Sequence, residues 1–503
     1  MLRFKIFENG VPAKSADLEG AHLLGSERVP LRAELTFAAG ELRCAPRARG
    51  AAALSIMWPV PGLGRMMMET PRLLERTEPY NLHVELARGQ LMRISHKRED
   101  WGLYDYPEDG GIYGQIDAAR DLLVAAMTAE NDKIAAARAD DALAAGVKAG
   151  EALSSLHAEI FLSKRRQSGE QPCETPLGCR LEPAKCFGES TEGETDPETR
   201  IERIGDSFDF VSVPMSWRRT EPRDGQHVVE PVASWIRAIR ERKMMVWGRS
   251  LLSFDAGDWP TWLKASAKNY DPLRDRVAKQ LKHLLKHFAG QVHAWEIVSG
   301  IHASNPLKLS FEQIVDLTRT CAILAKQHAP KTSAIIGITL PWGEYYAKDP
   351  QTIPPLVYAD MTIQSGIPFD GLGIEIRFGD GPSGQYMRDL MQISSLLDRF
   401  GNLGKPLHIT AAGVPSEAPS TRFGAWRGPW SEDIQATWLR EFSRMALSKP
   451  FVETVTWQCM ADGAEHPGAG LLRNDLSAKP ALRELDSVRL SLFGPRAAAS
   501  VAK

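Results

Sequence analysis

The chain has 503 residues, with 61 Lys and Arg against 63 Asp and Glu and a formal net charge of −2. Such a length exceeds the ~250–300 residues that a single hydrophobic core usually fills, so more than one domain is expected. The balanced charge excludes the strongly basic field of a nucleic-acid binder and gives no reason to expect an anionic membrane as partner.

Residues 1–10 alternate like an edge strand running into a turn and lack the apolar core of a signal peptide. No later run is long and apolar enough to span a bilayer, so the expected location is the cytoplasm. Short alternating segments at Leu31 to Phe37, Leu42 to Cys44 and Ala53 to Trp58, punctuated by Gly and Pro, predict a β-rich module over residues 1–110, a candidate carbohydrate-binding module. Within it, Leu82, Leu86, Leu91 and Ile94 fall near helical spacing and predict a helix packed on the sheet. Residues 111–171 read as a helical connector. The Ala-, Leu- and charge-rich stretch from Gln115 to Ser163 predicts either a helical pair or one long helix broken near Gly146 to Gly150. Cys173, Cys179 and Cys186 cluster next, without a CxxC knuckle; buried thiols are expected, with a metal or a bridge as the alternatives.

Beyond a polar stretch from Gln167 to Thr199, short apolar strands alternate with amphipathic helices. Strand candidates fall near Leu177 to Leu181 and at Phe208 to Val213, Lys243 to Trp247, Val292 to Val298, Ser333 to Ile338, Gly371 to Ile376, Leu407 to Thr410 and Thr454 to Trp457. That alternation predicts an α/β fold, a (β/α)8 TIM barrel over residues 172–490, followed by a tail at 491–503.

The order of local signatures along this region resembles glycoside hydrolase family 10, the endo-β-1,4-xylanases. Phe208 to Trp217 with Thr220-Glu221-Pro222 is similar to the family's second strand and following turn, and Val246-Trp247 with Asp258-Trp259-Pro260-Thr261-Trp262 to its third. Ala294 to Gly300 resembles the fourth strand, Phe369 to Ile374 the sixth, and Lys405 to Thr410 the seventh. Val455-Thr456-Trp457, with Gly470-Leu471-Leu472 and Ala478 to Ala481 behind it, resembles the eighth. The resemblance implies a glycan ligand and two catalytic glutamates, but it also places the acid/base on Gly300, the asparagine before it on Ser299, and the nucleophile on Ala411. Sugar-binding positions of the second strand land on Ser212, Val213 and Ser216, the third-strand histidine on Gly248, and the sixth-strand histidine on Arg377. Among the retained residues Trp217, Trp247, Trp295 and Trp457, the last matches a family sugar platform. A retaining glycosidase needs two carboxyl groups about 5 to 5.5 Å apart, and glycine and alanine supply neither.

Other carboxylates are candidates to replace them. Glu296 shares a strand face with Gly300 but lies roughly 13 Å deeper, at ~3.3 Å per residue, and reads as a hydrogen-bonded interior group. Glu375 points the same way as Arg377 near the mouth of the sixth strand; an inward ion pair is the plain expectation and a catalytic role the sharper one. Asp255, Glu344, Asp380 and Asp462 occupy loops expected at the same face. Trp259, Trp262, Trp342, Trp426, Trp430 and Trp457 fall at strand tops or top loops, where indoles either stack on pyranose faces or pack loops onto the barrel. His83, His96, His293 and His302 lack the HExxH spacing of metal ligands, and no metal or cofactor is expected.

The expected function is recognition of a β-linked glycan, or an interaction scaffold, on a xylanase-like barrel that has lost its hydrolytic pair. The substrate-binding candidates are Trp457, Arg377, Glu375, Trp217, Arg249 and Trp342, with Glu375 the one tentative catalytic residue. The alternative is an active glycoside hydrolase with relocated carboxylates, Glu375 among them. A β-glycan is the expected partner.

Overall fold

A computed structural model describes residues 1–47, 50–104, 106, 110–168, 175–187, 197–205, 207–255, 257–263, 269–379, 385–418, 422–463 and 467–494. Eight parallel strands form the barrel: Leu177–Arg180, Phe210–Pro214, Met245–Arg249, Ala294–Ser299, Ser333–Ile338, Gly371–Arg377, Leu407–Gly413 and Val452–Trp457. They are almost wholly buried because helices cover their outer faces and side chains fill the inside, and this is why they read as short, mostly apolar runs with a few inward polar residues. The sheet closes where the third strand pairs with the fourth (Trp247 opposite Ala294) and the first with the eighth (Cys179 opposite Trp457). The short strand Leu252–Ser253 extends the fourth at its C-terminal end.

Long helices connect these strands, and their starts are legible in the side chains. Ser310 and Asp389 each accept a hydrogen bond from the backbone N–H three residues on, while Gln313 and Gln392 reach back to the capping residue's own N–H. These reciprocal bonds satisfy donors that every helix N-terminus otherwise leaves open.

The N-terminal region builds a four-stranded mixed sheet, a larger antiparallel sheet and the small hairpin Phe7–Glu8 with Val11–Pro12. Leu2–Lys5 is not an edge strand, as its alternation suggested, since it lies between Glu41–Pro46 and a parallel partner, Tyr80–Asn81. A second sheet contains His22–Leu24, Ala53–Val60 and Gly64–Glu69, and is completed by Ala425–Trp426 from the loop after the seventh barrel strand. One continuous hydrophobic core joins these sheets, the helices and the barrel.

Three helices follow: Leu82–Asp100, Ile112–Met127 and Asp132–Ser168. The break between the last two falls at residues 128–131, and Gly146 to Gly150 lie inside an unbroken 37-residue helix. These glycines serve close packing. A Cβ on Gly150 would stand 2.8 Å from Met391 Sδ and 3.0 Å from Gln90 Nε2.

Gly89 makes a stricter demand, because its added Cβ would lie 2.1 Å from the backbone oxygen of Glu69. Alanine gains about 1 kcal/mol of helix propensity but cannot be seated without moving strand or helix. Gly89→Ala is therefore expected to lose about 1–3 kcal/mol in urea unfolding; unchanged or higher stability would show that the contact yields freely.

Candidate functional site

The C-terminal ends of the barrel strands converge on one mouth. Gly300 directly follows the fourth strand, Arg377 ends the sixth, and Ala411 in the seventh pairs in register with Glu375; Trp457 pairs with Ala412. The mouth thus brings together the positions that the resemblance aligned, and charged side chains occupy the space around them.

Glu375 is the centre of this charge. Its Oε1 accepts a 2.6 Å hydrogen bond from Arg180 Nη2, and its Oε2 lies 3.3 Å from Arg377 Nη2. Burial alone would raise the Glu375 pKa, but the Arg180 and Arg377 guanidiniums outweigh it and hold the carboxyl down at about 2. Arg249 extends from the third strand and donates to the Leu181 carbonyl at 3.0 Å; burial and then Arg180 lower it to about 10.

Two further carboxyls behave in the opposite way. Asp255, an exposed residue at the rim, is pushed up to about 6, by loss of water on the inner side of its carboxyl first and then by the negative charge of Glu375. Its Oδ1 lies 3.8 Å from where a Cβ on Gly300 would be. Glu296 is raised by burial; its Oε2 accepts from Ser250 Oγ at 3.2 Å, and its Oε1 lies over Gly337, where a Cβ would approach to 2.3 Å. Gly300 itself has φ +69°, a conformation that an L side chain adopts only at a cost, and its Cβ would stand 3.2 Å from Thr339 Oγ1. Gly248 has no room for a side chain, because the Trp295 indole lies where its Cβ would be.

The tryptophans are tied into the protein. Trp457 is 3% exposed, donates from Nε1 to the Ala469 carbonyl at 2.8 Å and meets Trp438 edge to face. Trp217 clusters with Trp259 and Trp262 around Glu221, which accepts from Trp217 Nε1 at 2.8 Å. Trp342 packs on Phe378 and beneath Arg388, at the edge of a groove beside the barrel. Trp426 donates to Glu151 and Trp430 to the Gly424 carbonyl.

Of the loop acids, Glu344 pairs with Arg388 at 2.6 Å and Asp462 with Lys479 at 2.7 Å, which spends both on structure, while Asp380 lies outside the described residues. Cys179 and Cys186 are buried thiols whose pKa values burial raises; Cys173 lies outside the described residues. His83 bonds Asp140, His293 accepts from the Val246 N–H, and His302 is held near 4 by burial, stacked on Tyr358; His96 is exposed on its helix. Among the described residues no group of three or more His, Cys, Asp or Glu side chains is placed to hold a metal ion, and no helix is long and apolar enough to cross a membrane. Arg180 was missed from the sequence. Its signal was a single charge inside the buried run Leu177 to Leu181.

No protein with a curated description matches the chain. Among solved structures it is similar to xylanase 10B from Thermotoga petrophila RKU-1 in complex with xylobiose, at 16% identity over 64% of this chain and 95% of that one, with a TM-score of 0.48. It is also similar to GH10 from Paenibacillus barcinonensis, at 17% identity over 64% and 96%, TM-score 0.49. A third is Xylanase10C from Cellvibrio japonicus in complex with xylopentaose, at 13% identity over 65% and 69%, TM-score 0.49. The sequence pattern of glycosyl hydrolase family 10 matches residues 186–485, more than half of the chain and nearly all of the barrel. The chain therefore belongs to glycosyl hydrolase family 10.

Proposed function

We propose that the barrel mouth binds a β-linked glycan without hydrolysing it. The observation that carries this reading is the clamping of Glu375 between Arg180 and Arg377, beside Ala411, with Gly300 directly after the fourth strand; these are the two positions that the resemblance aligns with the catalytic pair. A carboxylate held at about 2 is a weak nucleophile, because its lone pairs are committed to two guanidiniums. Arg377, 23% exposed at its side chain, and Asp255 at the rim face the opening where sugar hydroxyls would lie. After the cost of ordering a flexible oligosaccharide, a Kd in the region of ~1 mM to ~10 μM is expected.

A second reading has its own observation. Asp255 stands beside Gly300 with its pKa near 6 while Glu375 beside Ala411 stays ionised, and two carboxyls pushed apart in this way are what an acid and a nucleophile require. One experiment separates the two. Purified protein is expected to release no reducing sugar from xylan or β-glucan near neutral pH, while xylo- or cello-oligosaccharides give saturable heat in calorimetry. Steady hydrolysis that Glu375→Gln and Asp255→Asn each abolish would replace binding with the glycosidase reading; neither hydrolysis nor binding would leave the barrel as a scaffold.

A further inference from the structure

A groove of about 730 Å³ lies outside the mouth, where the N-terminal sheet, the helix Leu82–Asp100 and the barrel helix Leu390–Gly401 meet. Five cations line it, Arg28, Arg72, Arg93, Lys97 and Arg399. Only two acids, Glu69 and Asp100, share the lining. That is a formal excess of three positive charges.

Acids behind the lining offset part of the excess, Asp398 beside Lys97 and Asp389 at 3.9 Å from Arg93, and leave Arg72 and Arg399 without a carboxylate partner among the described residues. Lys97 is satisfied by Asp100 at 3.2 Å and Asp398 at 3.0 Å. Arg28 and Arg93 both lean on Glu69, which burial alone would raise but which Arg28, Arg93 and Arg388 hold near 2. Arg399 donates to the Glu27 carbonyl at 2.7 Å, a neutral partner, and Arg28 is among the charges that crowd it. Arg72 has no carboxylate within ion-pair distance among the described residues. Side by side with these cations, the lining includes Leu74, 66% exposed, Met92, 43% exposed, and the Trp342 ring.

We propose that this groove binds a small phosphate monoester, its phosphate held by Arg28, Arg72 and Arg399 and its organic part laid against Leu74, Met92 and Trp342. The three guanidiniums come from three separate chain segments, the loop before Val29, the loop after Glu69 and the helix Leu390–Gly401. Donors offered by three segments around one groove suit the three terminal oxygens of a phosphate better than the two of a carboxylate. A dianion also matches the two arginines left without a carboxylate, Arg72 and Arg399, more closely than a monoanion, and the exposed apolar wall gains by being covered. Concavity and a mixed apolar and polar lining are what small-ligand sites share.

The test uses the full-length protein and phenyl phosphate as probe in calorimetry at low ionic strength. Saturable binding is expected, with inorganic phosphate and benzoate each at least about tenfold weaker and phenol without measurable heat. Arg72→Ala is expected to weaken phenyl phosphate about tenfold with an unchanged thermal midpoint, since Arg72 makes no ion pair whose loss would unfold the chain. Arg399→Ala should weaken it similarly, and Met92→Ala should reduce the preference for phenyl phosphate over inorganic phosphate. Absence of saturable binding up to ~10 mM would overturn the proposal, being weaker than charge-assisted bonds from a preformed site should give. So would equal binding by wild type and Arg72→Ala, or equal affinity for benzoate and phenyl phosphate. Equal affinity for inorganic phosphate and phenyl phosphate would likewise refute the role of the apolar wall.

Discussion

Glu375→Leu is expected to cost about 3–5 kcal/mol in denaturant unfolding, the loss typical when one member of a buried ion pair is removed and its partner charge stays behind. Arg180 is the charge left behind. Its side chain is buried in the first barrel strand, and among the described residues the 2.6 Å bond to Glu375 is the closest contact the guanidinium makes with an acid. Arg377 is the more exposed partner, with 23% of its side chain reaching solvent. The second half of the experiment distinguishes a stabilising pair from a merely compensated one. Arg180→Met added to Glu375→Leu should recover most of the loss, since replacing both partners by apolar groups of similar size is often neutral or stabilising. A double variant as unstable as Glu375→Leu alone would show that the cavity or the Arg377 contact, not the stranded charge, sets the cost.

Acid should erase the same difference. Glu375 has a folded pKa of about 2 against an ordinary value of 4.5, so its stabilisation is present in full above about 4.5 and is lost as pH falls toward 2. The gap between wild type and Glu375→Leu is therefore expected to narrow across that window. Asp255 has the opposite sign: its folded pKa of about 6 lies above the ordinary 3.8, so the ionised group destabilises the fold above pH 6 and is relieved as pH falls toward 3.8. Asp255→Asn should stabilise the protein more at pH 7.5 than at pH 5, by an amount that solvent screening of this exposed residue keeps small. The same stabilisation at both pH values would mean that Asp255 titrates normally.

The barrel was legible because parallel strands buried on both faces leave a strong local trace. Runs such as Ala294–Ser299 and Leu407–Gly413 are buried from end to end and mostly apolar, without the polar face of an amphipathic helix. What stayed hidden depends on contacts distant in sequence. Nothing local in Ala425–Trp426 says that it completes a sheet whose other strands lie more than 350 residues earlier. Gly146 and Gly150 look like a helix break, whereas the helix runs through them because Gln90 and Met391 approach its backbone. At the mouth, Glu375 and Arg377 could be read from their alternation on one strand, but the closer cation, Arg180, comes from a strand 195 residues away. The tryptophans were the least decidable. A sugar platform and a packed loop indole carry the same residue at the same strand end, and only the partner of the ring N–H separates them.

Trp457 is where that distinction has the largest consequence. Its Nε1 is bonded to the Ala469 carbonyl, its ring meets Trp438 at 6.3 Å between centroids, and 3% of the residue reaches solvent. Truncation would open a cavity between the eighth strand and the helix Glu432–Ser448 and strip a buried carbonyl of its donor. Trp457→Ala is therefore expected to lose about 3–5 kcal/mol, seen as a clear fall in the urea midpoint. This departs from the expectation of a surface platform, whose removal would leave stability nearly unchanged. Trp457→Phe separates packing from recognition, because it keeps most of the ring while losing the bond to Ala469. If its stability is largely restored and oligosaccharide binding is intact, Trp457 is structural and recognition rests on Arg377 and its neighbours. If stability is restored but binding is lost, the indole takes part in the glycan site. An alanine variant as stable as wild type would show that the ring contributes little to the core and is free to meet a ligand.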